Sequence, residues 1–98
     1  MFFFGRGKIN EAVEECRNTP GAVLLDVREA EEYRDGHFPG AVNAPLSGIR
    51  GIRLGKDRPL FVYCLYGTRS RQAAALKKMG YTAKNIGGIA SYKGSLEG

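Results

Sequence analysis

Cysteine is scarce in this chain: Cys16 and Cys64 are its only two. That excludes a framework of disulfides, and the two do not form a C-x-x-C pair. Histidine is scarcer still. With His37 alone, no zinc-ligand set can be assembled locally, and no metal is expected. Long apolar runs are missing as well. The opening M-F-F-F-G-R-G-K is apolar for only three residues after Met1, too short for the hydrophobic region of a signal peptide. No later run approaches the roughly 20 residues of a membrane span. These absences lead to the expectation of a soluble protein in a reducing, cytoplasmic setting, with no membrane partner.

Acidic residues are missing from one half. Residues 1–49 carry five Lys/Arg against eight Asp/Glu, whereas residues 50–98 carry ten against two. A basic second half attracts small anions or an acidic partner. The basic residues do not interleave with aromatics on a reading helix, and no zinc-finger or RNA-recognition signature is present, so no nucleic-acid partner is expected. Arg50, Arg53, Lys56 and Arg58 read as a solvated face.

What remains is a chain of 98 residues, the size of one domain, with 43% apolar residues. Ile9, Ala12, Val13 and Cys16 recur at helical spacing over 8–17, which puts Cys16 in a core. The run A-V-L-L-D-V at 22–27 is short, continuous and apolar, as suits a strand covered on both faces. A short helix is expected over 29–34, a second strand at 41–43 and a brief helix over 46–52. L-F-V-Y at 60–63 is the clearest further strand. A helix over 69–79 follows, stopped by Gly80, then a strand at 85–87 and a loop or helical turn around 90–92. Phe2-Phe3-Phe4 reads either as an edge strand or as a frayed end. Strands alternating with helices in this order predict an α/β fold with a mainly parallel central sheet, as one domain over 1–98.

The chemistry concentrates in L-F-V-Y-C-L-Y-G-T-R-S-R-Q-A-A-A-L, residues 60–76. Cys64 falls at the carboxyl end of a buried strand, where ligands bind in open α/β sheets. A tight loop with Gly67 follows, and a helix is expected to begin near Thr68 or Arg69. The first turn of a helix presents unpartnered N–H groups and a partial positive charge. Those donors favour a thiolate at Cys64 and cradle an anionic group, and Arg69 adds a permanent charge. The sulfur is therefore expected to be ionised and open to solvent. The plain alternative is a buried core cysteine, the common fate of a free thiol. The Gly-Thr-Arg loop after it argues for chemistry.

With these residues in view, the chain resembles the rhodanese family over almost its whole length. L-L-D-V-R-E-A-E-E-Y-R-D-G-H-F-P-G-A-V-N-A-P at 24–45 fits the family's first element. V-Y-C-L-Y-G-T-R-S at 62–70 fits its C-x-x-G-x-R-S loop, and G-Y-T-A-K-N-I-G-G-I at 80–89 matches further on. The resemblance implies a rhodanese-like fold with helices on both faces of the sheet and a thiosulfate sulfurtransferase activity without metal or organic cofactor. Cys64 would carry sulfur as a persulfide, taken from a small anionic donor such as thiosulfate and passed to cyanide, a thiol or a protein acceptor. Leu65, Tyr66, Gly67, Thr68 and Arg69 would bind substrate. Asp26, Arg28, Glu32 and Ser70 would support the site. The chain departs from the family at Leu65 and Tyr66, an apolar-aromatic pair where some thiosulfate-using members carry charged or polar side chains. Phe38 replaces an aliphatic residue, and Tyr92 a tryptophan.

Glu32 lies four residues after Arg28, which predicts an ion pair between them. Asp26 at a strand end is suited to accept backbone hydrogen bonds. His37 reads as a supporting residue in the turn D-G-H-F-P-G. Two rival functions stand beside sulfur transfer. A cysteine-dependent phosphatase uses a similar cradle, but with five residues between Cys and Arg, whereas four separate Cys64 from Arg69. A non-catalytic docking or sulfur-relay module is the other.

Overall fold

The computed structural model of the protein describes residues 8–66, 72–92 and 94–98. Helix α1 (Lys8–Arg17) leads into strand β1 (Val23–Asp26), helix α2 (Ala30–Asp35) and strand β2 (Val42–Asn43). A 3-10 helix (Leu46–Gly51), strand β3 (Leu60–Cys64), helix α3 (Gln72–Lys78), strand β4 (Ala83–Gly88) and a 3-10 turn (Ile89–Ser91) complete it. The four strands form one parallel sheet in the order β2-β1-β3-β4. The expected α/β architecture is therefore present. The Phe2-Phe3-Phe4 segment lies outside the described residues.

Side chains alternate across the strands because successive residues of a pleated chain point to opposite faces. Val23, Leu25, Leu60, Val62 and Cys64 join Ile49, Ala73, Leu76 and Tyr81 in one apolar layer, beneath α3 and the first 3-10 helix. Leu24, Phe61 and Tyr63 join Ile9, Val13, Cys16 and Phe38 in the other, beneath α1. With helices on both faces, β1 and β3 are buried at every position, which is why their sequences are continuous apolar runs rather than alternating ones. In α1 the same logic operates at helical period: Ile9, Val13 and Cys16 are buried, while Glu11, Glu14 and Glu15 face water.

Strand β4 is longer than its sequence suggests. Its pairing with β3 shifts register between Val62 and Tyr63, so that Tyr63 faces Gly87 and Cys64 faces Gly88. The extra residue is Ile86, and the chain rejoins the ladder at Gly87, whose φ of 106° is open to glycine and rarely to other residues. The chain then turns at once into the Ile89–Ser91 3-10 turn.

Candidate functional site

The connections after β1 and β3 leave the sheet in opposite senses, β2 lying on one side of this central pair and β4 on the other. Such a switch point opens a crevice at the carboxyl ends of the strands. Asp26 ends β1 beside Tyr63 of β3, and the Val27 N–H donates to the Tyr63 carbonyl at 3.1 Å. Cys64 is the next residue along, the last of β3. The expected position of the cysteine is thus met.

Its exposure is not. Cys64 has no solvent-accessible surface (0%), which corrects the expectation of an open sulfur. Residues 60, 62 and 64 of β3 point to the same face, and α3 with Ala73 and Leu76 covers that face. The strand does not continue past the cysteine, since Leu65 and Tyr66 form a bend. Leu65 is half-buried against the α1 layer, and Tyr66 is 76% exposed. Gly67, Thr68, Arg69 and Ser70 lie outside the described residues, as does the expected start of the helix near Thr68 or Arg69.

The supporting residues are brought together, although not in the expected pairs. Arg28 clamps Asp26 with two nitrogens: Nε donates to Oδ1 and Oδ2 at 3.1 Å, and Nη2 to Oδ2 at 2.8 Å. Asp26 Oδ1 also accepts the Arg28 N–H at 2.8 Å. The carboxylate paired with Arg28 is therefore Asp26, which corrects the Arg28–Glu32 pair. Helical spacing does not apply to Arg28, because α2 begins only at Ala30. Arg28 sits in extended chain two residues from Asp26, so both side chains fall on one side. Glu32 instead accepts the Glu29 N–H at 3.0 Å and closes a capping box on α2.

Arg28 Nη2 also donates to the Gly36 carbonyl at 2.6 Å, and Asn43 Nδ2 donates to the carbonyls of Asp26 and Arg28, each at 3.0 Å. One buried ion pair thereby joins the ends of β1 and β2 to the turn after α2. Burial works against the Arg28 charge, but the hydrogen bonds and charge of Asp26 outweigh it and hold the guanidinium above its ordinary range. Burial likewise pushes the Tyr63 phenol far above its ordinary range, with the Asp26 charge adding to the effect. Tyr63 Oη accepts the Phe38 N–H at 3.3 Å. Burial also raises the Cys16 thiol, in keeping with its expected core role. His37 stacks on Tyr33 with ring centroids 3.6 Å apart, and its Nδ1–H donates to the Tyr33 carbonyl at 2.7 Å.

Two features were not read from sequence. One is a cleft of about 260 Å³ at the carboxyl edge, walled by Arg28, Gly36, Leu65, Ile89, Ala90 and Leu96. Glu32 and Asp35 also line it. The other is Gly88, which lies against the Leu65–Tyr66 bend. The Gly-Gly pair at 87–88 is the sequence signal for it, since glycine inside a strand marks a bulge or a close backbone approach. Among the described residues no group of three or more His, Cys, Asp or Glu is placed to hold a metal ion. None of the described helices is long and apolar enough to cross a membrane.

A parallel sheet covered on both faces, with a cysteine ending its central strand beside a buried Asp-Arg clamp, defines the class. The profile of the rhodanese-like domain matches residues 9–98, and the chain belongs to that family. A tRNA sulfurtransferase of Desulfurococcus amylolyticus is 37% identical over 87 residues, covering 86% of this chain and 18% of that protein. The thiosulfate sulfurtransferase GlpE of Pseudomonas putida is 38% identical over 69 residues, covering 66% of this chain and 61% of that protein. The chain thus spans less than two thirds of either relative. Among solved structures, SSP1007 of Staphylococcus saprophyticus superposes with a TM-score of 0.81 at 26% identity, over 92% of this chain and 95% of that one.

Proposed function

We propose that this protein is a sulfurtransferase in which Cys64 carries sulfane sulfur as a persulfide. The observation that carries the reading is the position of Cys64, the last residue of β3 at the switch point of a rhodanese-like sheet. The names borne by relatives support sulfur transfer in general.

In the first half-reaction the Cys64 thiolate attacks the outer sulfur of a donor such as thiosulfate. The donor's S–S bond breaks, sulfite leaves with the electron pair, and Cys64 holds the sulfur. In the second, the thiolate of an acceptor, or cyanide in an assay, attacks that outer sulfur, and the electron pair of the broken S–S bond returns to Cys64. This is covalent catalysis in two displacements, with no net oxidation and no cofactor. Gly67, Thr68 and Arg69, with Leu65 and Tyr66, bind the donor. Ser70 supports the loop, Asp26 and Arg28 brace the neighbouring strand end, and Glu32 caps α2 beside it.

Intact mass after incubation with thiosulfate tests the proposal. The protein should gain one sulfur, about 32 Da, and Cys64→Ala should gain none. A parent protein that gains no sulfur from thiosulfate or from a low-molecular-weight persulfide, and turns over neither, would sink the reading. So would an adduct that survives in Cys64→Ala.

A further inference from the structure

We propose that a pocket at the amino end of β1 binds a small organic carboxylate, its apolar body on Cys16 and Leu24 and its charge held by Arg17 and Arg58. The pocket measures about 440 Å³. Cys64 lies past the carboxyl end of β1, so the two sites are separate and the inference does not depend on the sulfurtransferase reading.

Two Pro-Gly turns frame this pocket, at residues 19–22 and 38–41. The Ala22 N–H donates to the Thr19 carbonyl at 3.1 Å, and the Ala41 N–H to the Phe38 carbonyl at 3.0 Å. Gly21 and Gly40 take the positive φ, 76° and 83°, that a type II turn demands at its third residue. An arginine holds each turn. Arg58 Nε donates to the Gly21 carbonyl at 2.8 Å, and Arg17 Nη2 to the Pro39 carbonyl at 3.2 Å. Arg58, which the sequence places on a solvated face, is thus folded back onto the entry to β1. Both guanidiniums are fixed before a ligand arrives, which lowers the cost of binding.

Both guanidiniums line the pocket, and no carboxylate does. The two Nη groups of Arg58 have no acceptor among the described residues. Arg17 Nη1 faces Glu14 at 3.8 Å, an exposed and long pair that offsets little of its charge. Glu15 is engaged by Lys84 at 3.0 Å, and Asp57, next to Arg58 in the chain, is not part of the lining. All ten acids occupy described positions, and the charged residues outside them, Arg6, Arg69, Arg71 and Lys93, are cations. No hidden acid can therefore neutralise the pair. Helix α1 ends here, and open carbonyls at its last turn would oppose an anion. Those of Glu14, Glu15 and Cys16 are taken, by the Asn18 N–H, the Thr19 hydroxyl and the Thr19 N–H.

The rest of the lining fixes the ligand's class. Cys16 and Leu24 are buried side chains that reach the pocket, and Pro20, Ala22 and Pro39 add apolar surface. An inorganic anion would leave that surface uncovered, and a neutral apolar molecule would leave the arginine donors unused. A carboxylate on a ring or a short chain satisfies both, with the planar guanidinium matched to the planar oxyanion.

The test titrates the ¹⁵N-labelled protein with benzoate, benzamide and inorganic phosphate at constant ionic strength and follows the backbone amide signals. Benzoate should shift the amides of Thr19, Gly21, Ala22 and Gly40 saturably. Benzamide, which keeps the ring and loses the charge, should bind at least about tenfold more weakly, and so should phosphate, which keeps the charge and loses the ring. Arg58→Gln and Arg17→Gln should each weaken benzoate by about tenfold, and their spectra without ligand show whether the two turns are kept. The comparison of the three probes needs no variant and stands if either turn loosens. Arg69→Ala should leave the benzoate shifts at Gly21 and Gly40 intact. If they vanish there, the ligand sits at the loop after Cys64 and the proposal is overturned. Equal affinity for benzoate and benzamide, phosphate binding as tight as benzoate, or no saturable shift at the four amides would overturn it too. None of these readouts uses sulfur transfer, so their failure leaves the enzyme reading untouched.

Discussion

Tyr66 rests its backbone on Gly88: a Cβ added at Gly88 would stand 2.6 Å from Tyr66 Cα and closer still to the Leu65 carbonyl oxygen. Gly88 has ordinary extended dihedrals, φ −119° and ψ 137°, so this position needs glycine for space rather than for backbone freedom. The obstructing atoms are backbone, which no rotamer change can move aside. Gly88→Ala should therefore displace the bend after Cys64, destabilising the domain by about 1–3 kcal/mol as overpacking does. Persulfide formation should fall further than the folded fraction does. A variant with parental melting temperature and parental sulfur uptake would show that the bend tolerates the methyl.

The Asp26–Arg28 pair carries a separate expectation. Both side chains are at most 5% exposed, so removing the carboxylate leaves a buried, uncompensated guanidinium. Asp26→Ala should cost about 3–5 kcal/mol, read as a fall of at least about 10 °C in the thermal midpoint. Asp26→Ala combined with Arg28→Met should be more stable than Asp26→Ala alone, because the unpaired charge is gone. A single variant within about 0.5 kcal/mol of the parent would contradict the role given to the pair as a brace between strand ends.

How much of this was legible in the sequence depends on what sets each feature. Strands β1 and β3 declared themselves because a strand covered on both faces is apolar throughout. Strand β4, A-K-N-I-G-G, is defined by pairing with β3 rather than by its own composition, and only its middle was foreseen. The position of Cys64 followed from local pattern, whereas its enclosure depends on which face α3 covers, a tertiary fact. Helical spacing points Arg28 towards Glu32, but Arg28 precedes the helix and its extended backbone turns it to Asp26 instead. The cleft joins Gly36, Leu65, Ile89 and Leu96, residues far apart in sequence, and no local pattern announces it.

Stability should depend on pH at the alkaline end through Tyr63. Its folded pKa is raised by burial and by the Asp26 charge, so the folded protein holds the phenolic proton more tightly than the unfolded chain. The contribution is fully present below about pH 10, the ordinary tyrosine value, and is lost as pH climbs towards the raised one. The slope should approach about 1.4 kcal/mol per pH unit from this group. Urea unfolding between pH 9 and about 11 should show the decline in the parent and a flatter profile in Tyr63→Phe. Equal slopes in the two proteins would remove Tyr63 as the cause.

Enclosure of both thiols predicts slow chemistry with any reagent from solution, and the sulfur donor reaches Cys64 only through the same local opening. Cys64 is fully buried and Cys16 is 5% exposed. Alkylation of either by iodoacetamide in the native protein should be slower than in urea by at least about tenfold, since it needs local opening. Peptide mapping after a timed exposure assigns the label. Rapid native labelling at Cys64 would mean that the sulfur is reached without such opening.

Arg69 offers the sharpest test of what the loop is built for. Four residues separate it from Cys64, one fewer than in the phosphatase loop, so the cradle should suit a sulfur atom borne on cysteine rather than a tetrahedral phosphate under attack. Removing a charged donor aimed at the reacting anion typically costs about 10²–10³ in rate, and Arg69→Ala should lose about that much of its kcat/KM with thiosulfate while keeping its thermal midpoint. Arg69→Lys keeps the charge but not the planar fork, so the activity it recovers measures how much of the effect is charge alone. An aryl phosphate should be hydrolysed by the parent no faster than by Cys64→Ser. If phosphate hydrolysis is instead clear in the parent and lost in Cys64→Ser, the one-residue difference in loop length does not decide the chemistry, and the sulfur-transfer assignment gives way to a phosphatase.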